Sequence, residues 1–87
     1  MDEFTFSVSA WDDYCYWQGQ DKKTLKKINE LLKDIRRNGP LKGNGKPESL
    51  KYRPGYSRRI DEVNRLVYDI DHSGNIKIIS CRGHYED

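Results

Sequence analysis

The chain has 87 residues, 34% hydrophobic and 34% charged, with sixteen Lys and Arg against fourteen Asp and Glu. That length makes one small domain that buries only roughly 60–65% of its unfolded surface. There is no run of about 18 apolar residues to span a membrane, and Met1-Asp2-Glu3 lacks the basic-then-apolar pattern of a signal peptide, so a cytoplasmic location is expected.

The charge is unevenly placed. Residues 1–21 hold five acids and no Lys or Arg, residues 22–65 hold fourteen Lys and Arg against five acids, and residues 66–87 hold two bases and four acids. A concentrated basic block in a nearly neutral chain points to a face that binds a polyanion. Cys15 and Cys81 sit in no metal-type spacing and are expected to be buried, reduced thiols.

In chain order, Phe4-Thr5-Phe6-Ser7-Val8 alternates as a strand does. Ser9 is the expected N-cap of a short helix over residues 10–18, with Asp12 and Asp13 in its first turn, its aromatics turned to the core and its end near Gly19. Asp21 caps a second helix that runs to about Arg37 and stops at Asn38-Gly39-Pro40. Leu25, Ile28, Leu31, Leu32 and Ile35 recur at helical spacing and face the sheet. Lys22, Lys26, Lys33 and Arg37 form a second stripe, flanked by Lys23, Lys27 and Arg36. Glu30–Lys33 and Asp34–Arg37 are i,i+3 pairs worth tenths of a kcal/mol, which leaves most of this positive charge for a partner.

Residues 38–56 form a long loop, and loops of that length in small domains are commonly functional. Its only acid, Glu48, stands among Lys42, Lys46, Lys51 and Arg53. Then come Ser57-Arg58-Arg59-Ile60 and two alternating runs, Arg65-Leu66-Val67-Tyr68-Asp69-Ile70 and Ile76-Lys77-Ile78-Ile79-Ser80-Cys81, read as a hairpin. A two-residue Ser73-Gly74 loop pairs His72 with Asn75, Tyr68 with Ile79 and Leu66 with Cys81. Leu66, Tyr68, Ile70, Ile79 and Cys81 then make a core face, while Arg65, Val67, Asp69, Ile78, Ser80, Arg82 and His84 share the other. A guanidinium and an imidazole on one rigid face suit a phosphate-handling site. His72 is a solvated turn residue. The order strand, helix, helix, three strands gives an α+β fold, β-α-α-β-β-β, with two helices packed on one face of a mainly antiparallel sheet.

Several blocks together carry a family resemblance: Ser9-Ala10-Trp11-Asp12-Asp13-Tyr14, Trp17-Gln18, Lys26-Lys27-Ile28-Asn29-Glu30-Leu31, Gly45-Lys46-Pro47-Glu48, Leu50-Lys51, Ser57-Arg58-Arg59-Ile60, Arg65-Leu66-Val67-Tyr68 and Cys81-Arg82-Gly83-His84-Tyr85. In order and spacing they resemble the YoeB/Txe toxins of type II toxin–antitoxin modules, within the RelE-like superfamily, over nearly the whole chain. The resemblance implies a ribosome-dependent endoribonuclease that cuts mRNA in the ribosomal A site, inhibited by a cognate antitoxin of the YefM/Axe kind. The resemblance also makes a homodimer plausible, although the sequence shows no clear dimer seam. By motif, it makes Glu48 the general base, Arg65 the phosphate-stabilising residue, His84 the general acid and Tyr85 a substrate-positioning residue. Lys51 and Arg59 match supporting basic residues, Lys46 belongs to the same motif as Glu48, and Lys22, Lys26, Lys33 and Arg37 are expected to hold ribosomal RNA through its phosphates.

The residue types agree with that chemistry. A base takes the ribose 2′-hydroxyl proton, a cation stabilises the phosphorane, and an acid protonates the leaving 5′-oxygen. The chain has no carboxylate constellation of the kind that holds Mg²⁺, so a metal-free, cofactor-free route is expected. The alternative is a fold relative that binds RNA or the ribosome without cutting it. A gyrase-poisoning branch of the superfamily lacks the set of Glu48 with His84-Tyr85. Two features depart from the family pattern. Tyr56 stands where many members have a Trp, which would change base stacking near the cut, and Glu86-Asp87 follow the Tyr at which many members end.

Overall fold

The computed structural model describes residues 3–83. Its elements are β1 (Phe4–Phe6), α1 (Val8–Gln20), α2 (Lys22–Asn38), β2 (Glu48–Ser49), β3 (Tyr56–Arg59), β4 (Arg65–Ile70) and β5 (Ile76–Ser80). The strands form one sheet in the order β1-β5-β4-β3-β2, antiparallel except for the β1–β5 pair. Both helices contribute to the core on one sheet face. The expected α+β architecture is present, and β2 is an additional edge strand too short for any alternation to announce. Among the described residues no helix is long and apolar enough to cross a membrane.

The N-terminal elements turn on two capping residues. Ser7, not Ser9, caps α1: it is extended, and its Oγ accepts from the Ala10 N–H at 3.0 Å while donating to the Ile79 carbonyl at 2.9 Å. One hydroxyl therefore ends β1, starts α1 and ties both to β5. Asp12 and Asp13 accordingly fall beyond the first turn. The helix also runs through Gly19 to Gln20, because the stop is supplied by Asp21. That residue's N–H closes α1 on the Trp17 carbonyl at 3.0 Å, and its carboxylate caps α2 by accepting from the Lys23 and Thr24 N–H groups. Of the α1 aromatics, Trp17 enters the core, whereas Trp11 is exposed and stacks on half-buried Tyr14.

The β4–β5 hairpin corrects the expected register. Asp71 and Asn75 close a three-residue loop, with the Asp71 carboxylate accepting from the Ser73 and Asn75 N–H groups at 2.9 Å each. Tyr68 therefore pairs with Ile78 rather than Ile79, and Ile78 belongs to the core face. Ile79 has no partner on β4; it is the extra residue of a β-bulge that shifts the register between Tyr68 and Val67. Beyond the bulge Val67 pairs with Ser80, which is the register read from the sequence, and Leu66 and Cys81 are both fully buried. His72 is exposed in the loop, as expected.

Arg58 locks the long loop to this scaffold. Strand alternation turns it inward, and it has no solvent exposure. Its Nε donates to Tyr68 Oη at 2.9 Å, Nη1 to the Asp34 carboxylate and to the Asn44 carbonyl at 3.0 Å, and Nη2 to the carbonyls of Gly39 and Lys42 at 2.8 and 2.7 Å. All five donors of the fork are used. Tyr68 Oη in turn donates to the Pro40 carbonyl at 2.6 Å. Asp34 therefore serves the core and not the expected surface pair with Arg37. Gly43 is required beside it, since its φ is +113° and a Cβ there would stand 1.9 Å from Asp34 Oδ2.

Burial opposes the charge on Asp34, but the Asn44 N–H and the Arg58 guanidinium outweigh it and hold the carboxyl below its usual range. A depressed folded-state value means stability that is complete above about pH 4 and lost as pH falls through the folded value. Asp34→Ala, which leaves a buried guanidinium uncompensated, is expected to cost about 3–5 kcal/mol in urea unfolding. Asp34→Asn is expected to cost less and to give a shallower acid limb of stability than the wild type. The limb persists in part because Asp21, Asp61 and Asp71 are also held low by their hydrogen bonds.

Candidate active site

The sheet face away from the helices gathers three of the candidate residues. Cross-strand partners share a face, so the register Glu48↔Ser57↔Val67↔Ser80, with Arg59↔Arg65 beside it, puts Glu48, Arg59 and Arg65 on one side. Arg65 Nη1 donates to Glu48 Oε1 at 3.3 Å. The arginine side chain is 18% exposed and the carboxylate 63%. Like charges directly opposite on a sheet repel, so Arg59 and Arg65 make a site of concentrated positive potential with one carboxylate at its edge. Glu48 is carried there by a segment with a constrained path. The Gly45 carbonyl accepts from the Arg59 N–H at 2.6 Å, and Lys46 takes a left-handed φ of 51° before Pro47.

The chain beyond β5 is fastened from three directions. The Cys81 N–H donates to Asp13 Oδ2 at 3.0 Å, and its carbonyl accepts from Trp17 Nε1 at 2.8 Å, so α1 holds both polar groups. The Arg82 guanidinium lies 3.6 Å from the centre of the Tyr16 ring. The Gly83 N–H donates to Asn64 Oδ1 at 2.8 Å, and its carbonyl accepts from the Arg65 N–H at 3.1 Å. Gly83 has φ +90°, a conformation that glycine adopts without strain. His84 and Tyr85, with Glu86 and Asp87, lie outside the described residues.

Of the remaining sequence-predicted residues, Lys46 and Lys51 are exposed on the segments flanking Glu48. Lys22, Lys26, Lys33 and Arg37 are exposed on α2, which packs on the opposite side of the sheet and is not brought to the Glu48–Arg65 pair. Tyr56 is half-buried on the core face, stacked on Tyr68 with ring centres 5.7 Å apart, so it does not occupy a base-stacking position beside Glu48. Among the described residues no three His, Cys, Asp or Glu side chains are grouped so as to hold a metal ion.

A model of the YoeB-like toxin of bacterial type II toxin–antitoxin systems matches residues 6–85. The chain belongs to the YoeB toxin family. It is 51% identical over 82 residues to toxin YoeB of Escherichia coli strain K12, covering 92% of this chain and 95% of the relative. It also resembles the toxin of the heterotetrameric YoeB–YefM complex from Staphylococcus aureus, with TM-score 0.89, 55% identity and coverage of 98% and 99%. The YoeB dimer from the same organism gives TM-score 0.89 at 56% identity, over 95% and 97% of the two chains. The matched span of this YoeB-family chain includes Glu48, Arg65, His84 and Tyr85.

Sequence reasoning passed over Arg58, Asn64, Asp13 and Trp17 as supporting residues. One signal was present: Asp34 interrupts the apolar stripe of α2 between Leu31 and Ile35, and an acid on a core-facing stripe demands a buried cation. Nothing comparable marks Asn64.

The two cysteines also differ from expectation, because Cys15 is exposed and only Cys81 is buried. Burial, with Asp13 close by, pushes the Cys81 thiol up to about 12, so it stays protonated and unreactive at neutral pH. An aromatic disulfide reagent at pH 7.5 is expected to label one thiol rapidly, at Cys15, and the second only on unfolding. Rapid loss of two thiols from the native protein would contradict the packing of Cys81.

Proposed function

We propose that the chain is the toxin of a type II module and a ribosome-dependent endoribonuclease that cuts mRNA in the A site. The Glu48–Arg65 pair carries this reading: a carboxylate and a guanidinium 3.3 Å apart on an open sheet face, with Gly83, the residue before His84, bonded to Asn64 and Arg65. With the Glu48 carboxylate 63% exposed, solvent screening holds the contribution of this single, long contact to about 1 kcal/mol, so an incoming phosphate can displace the carboxylate from Arg65. Glu48 is then placed to take the 2′-hydroxyl proton. The 2′-oxygen attacks phosphorus, Arg65 and Arg59 neutralise the phosphorane, and His84 protonates the departing 5′-oxygen while Tyr85 positions the substrate. The products are a 2′,3′-cyclic phosphate, or the 3′-phosphate from its hydrolysis, and a 5′-hydroxyl. These groups need no metal ion for the reaction.

The exposed Lys and Arg of α2, on the other side of the sheet, suit the phosphates of ribosomal RNA, while Lys46 and Lys51 flank the mRNA. A toxin acting on ribosomes would work in the cytoplasm. By analogy with the complex of its S. aureus relative, a YefM-like antitoxin neutralises it, and the chain can pair with a second copy. Co-expression with the neighbouring antitoxin is expected to restore growth that the toxin alone arrests.

In vitro translation followed by primer extension tests the activity. Discrete cuts that require ribosomes are expected from the wild type, with His84→Ala and Arg65→Ala each losing a factor of ~10²–10⁴. Cleavage retained in both variants would overturn the assigned roles. Blocked translation with intact mRNA would instead favour a non-cleaving RNA- or ribosome-binding module, for which the basic α2 surface suffices.

A further inference from the structure

The turn between β3 and β4 is built around Asn64. The Asp61 carboxylate accepts from the Val63 and Asn64 N–H groups at 2.8 and 2.6 Å and from Asn64 Nδ2 at 3.0 Å. The Asn64 carbonyl accepts from the Ile60 N–H at 3.0 Å. Burial opposes the charge on Asp61, but the bonds from the Asn64 side chain and from the Asn64 and Val63 N–H groups outweigh it, so the carboxyl titrates below its usual range. An ionised carboxylate only accepts hydrogen bonds, so it fixes which end of the Asn64 amide is the donor. The amide oxygen is left pointing at the Gly83 N–H, 2.8 Å away. The next residue, Arg65, takes the Gly83 carbonyl through its own N–H. Both backbone polar groups of Gly83, the residue before His84, are thus bound by two consecutive residues, the second of which carries the guanidinium of the site.

We propose that Asn64, oriented by Asp61, is a positioning residue for cleavage: it fixes the backbone leading into His84 relative to Arg65. This rests on the endoribonuclease reading above. The general acid and the phosphate-binding arginine lie nineteen positions apart in the sequence, and Asn64 couples them through one side-chain amide. Glu48 is held by a different device, the loop gathered around Arg58, so loss of Asn64 would misplace the acid without disturbing the base.

The test measures single-turnover mRNA cleavage on programmed ribosomes for the wild type, His84→Ala, Asn64→Ala, Asn64→Asp and the Asp61→Asn/Asn64→Asp exchange. Melting curves and amide hydrogen exchange at Gly83 are followed in parallel. Asn64→Ala is expected to lower the maximal rate by about 10- to 100-fold with the half-saturating ribosome concentration nearly unchanged, the signature of a misplaced group rather than lost binding. The Gly83 amide is expected to lose its protection. Asn64→Asp keeps an acceptor for Gly83 but sets two carboxylates against each other, and it should be slow. The double exchange restores both an acceptor for Gly83 and a donor–acceptor contact between positions 61 and 64, and should recover most of the rate. If the wild type does not cleave, the enzyme reading itself fails. If the wild type cleaves and His84→Ala does not, a full rate in Asn64→Ala overturns this inference alone. Should Asn64→Ala not fold, failure of the double exchange to recover rate over Asn64→Asp, with both folded, overturns it equally.

Discussion

The buried Arg58–Asp34 contact is the constraint on which the rest depends. It joins the middle of α2 to β3, and through the remaining guanidinium donors it gathers the carbonyls of Gly39, Lys42 and Asn44. A loop this rich in glycine and proline has no regular ladder to satisfy its backbone, so its carbonyls need donors from elsewhere. One side chain supplies three of them. Removing a charge from water is costly, and the pair persists because all five guanidinium protons and both carboxylate oxygens find a partner. The functional consequence is indirect. With residues 39–44 tied down, the chain leaves the loop at a fixed point, and β2 can add to β3 and present Glu48.

Strand alternation then decides which arginine does what. Arg58 and Arg59 are neighbours on β3; the first is entirely buried and the second exposed. Leu66 and Arg65 divide in the same way on β4. One face of the sheet makes the core with α1 and α2, and the other collects Arg59, Arg65 and Glu48. The bulge at Ile79 belongs to the same logic. The three-residue loop alone would have carried a shifted register along the whole hairpin, and one extra residue on β5 corrects it before Cys81. Cys81 therefore points into the core, and its backbone is exposed to Asp13 and Trp17 on α1, from which the tail toward His84 departs.

Much of this was legible in the sequence because it rests on local rules. The apolar stripe of α2, the Asp21 cap, the Gly39 stop and the β4–β5 hairpin are written in periodicity and turn chemistry. The pairing of Val67 with Ser80 was readable for a less direct reason: two departures from the simplest hairpin, a longer loop and a bulge, cancel. The errors came where one residue had two local options and tertiary contacts chose between them. Ser7 and Ser9 are both competent caps, but only Ser7 also reaches the Ile79 carbonyl. Asp34 is at the right spacing for Arg37, yet it lies on the buried side of its helix. β2 has no signal of its own, since two residues carry no period, and it exists because β3 offers it an edge. The juxtaposition of Glu48 and Arg65 was legible only as residue types and motifs; the way the candidate site is assembled was not, because Asn64, Asp13 and Trp17 act on backbone groups distant in the sequence.

The contrast between the two acid–arginine pairs shows how stability and chemistry are kept apart. Arg58 is fully buried, Asp34 nearly so, and both are bonded into the fold at every polar atom. Glu48 and Arg65 meet at 3.3 Å with the carboxylate largely exposed and the arginine largely covered, so solvent screens the contact from the Glu48 side. A pair that holds the structure together cannot be opened by a ligand at acceptable cost, whereas under the proposed mechanism Arg65 has to exchange its carboxylate for a phosphate. Placing the strong pair one strand position behind the weak cluster lets the scaffold stay rigid while the exposed face remains exchangeable. Arg59 sharpens the point. Set directly across from Arg65, it adds repulsion that the folded chain only partly relieves through Glu48, so the face is under electrostatic tension that an anion of higher charge would relieve more completely.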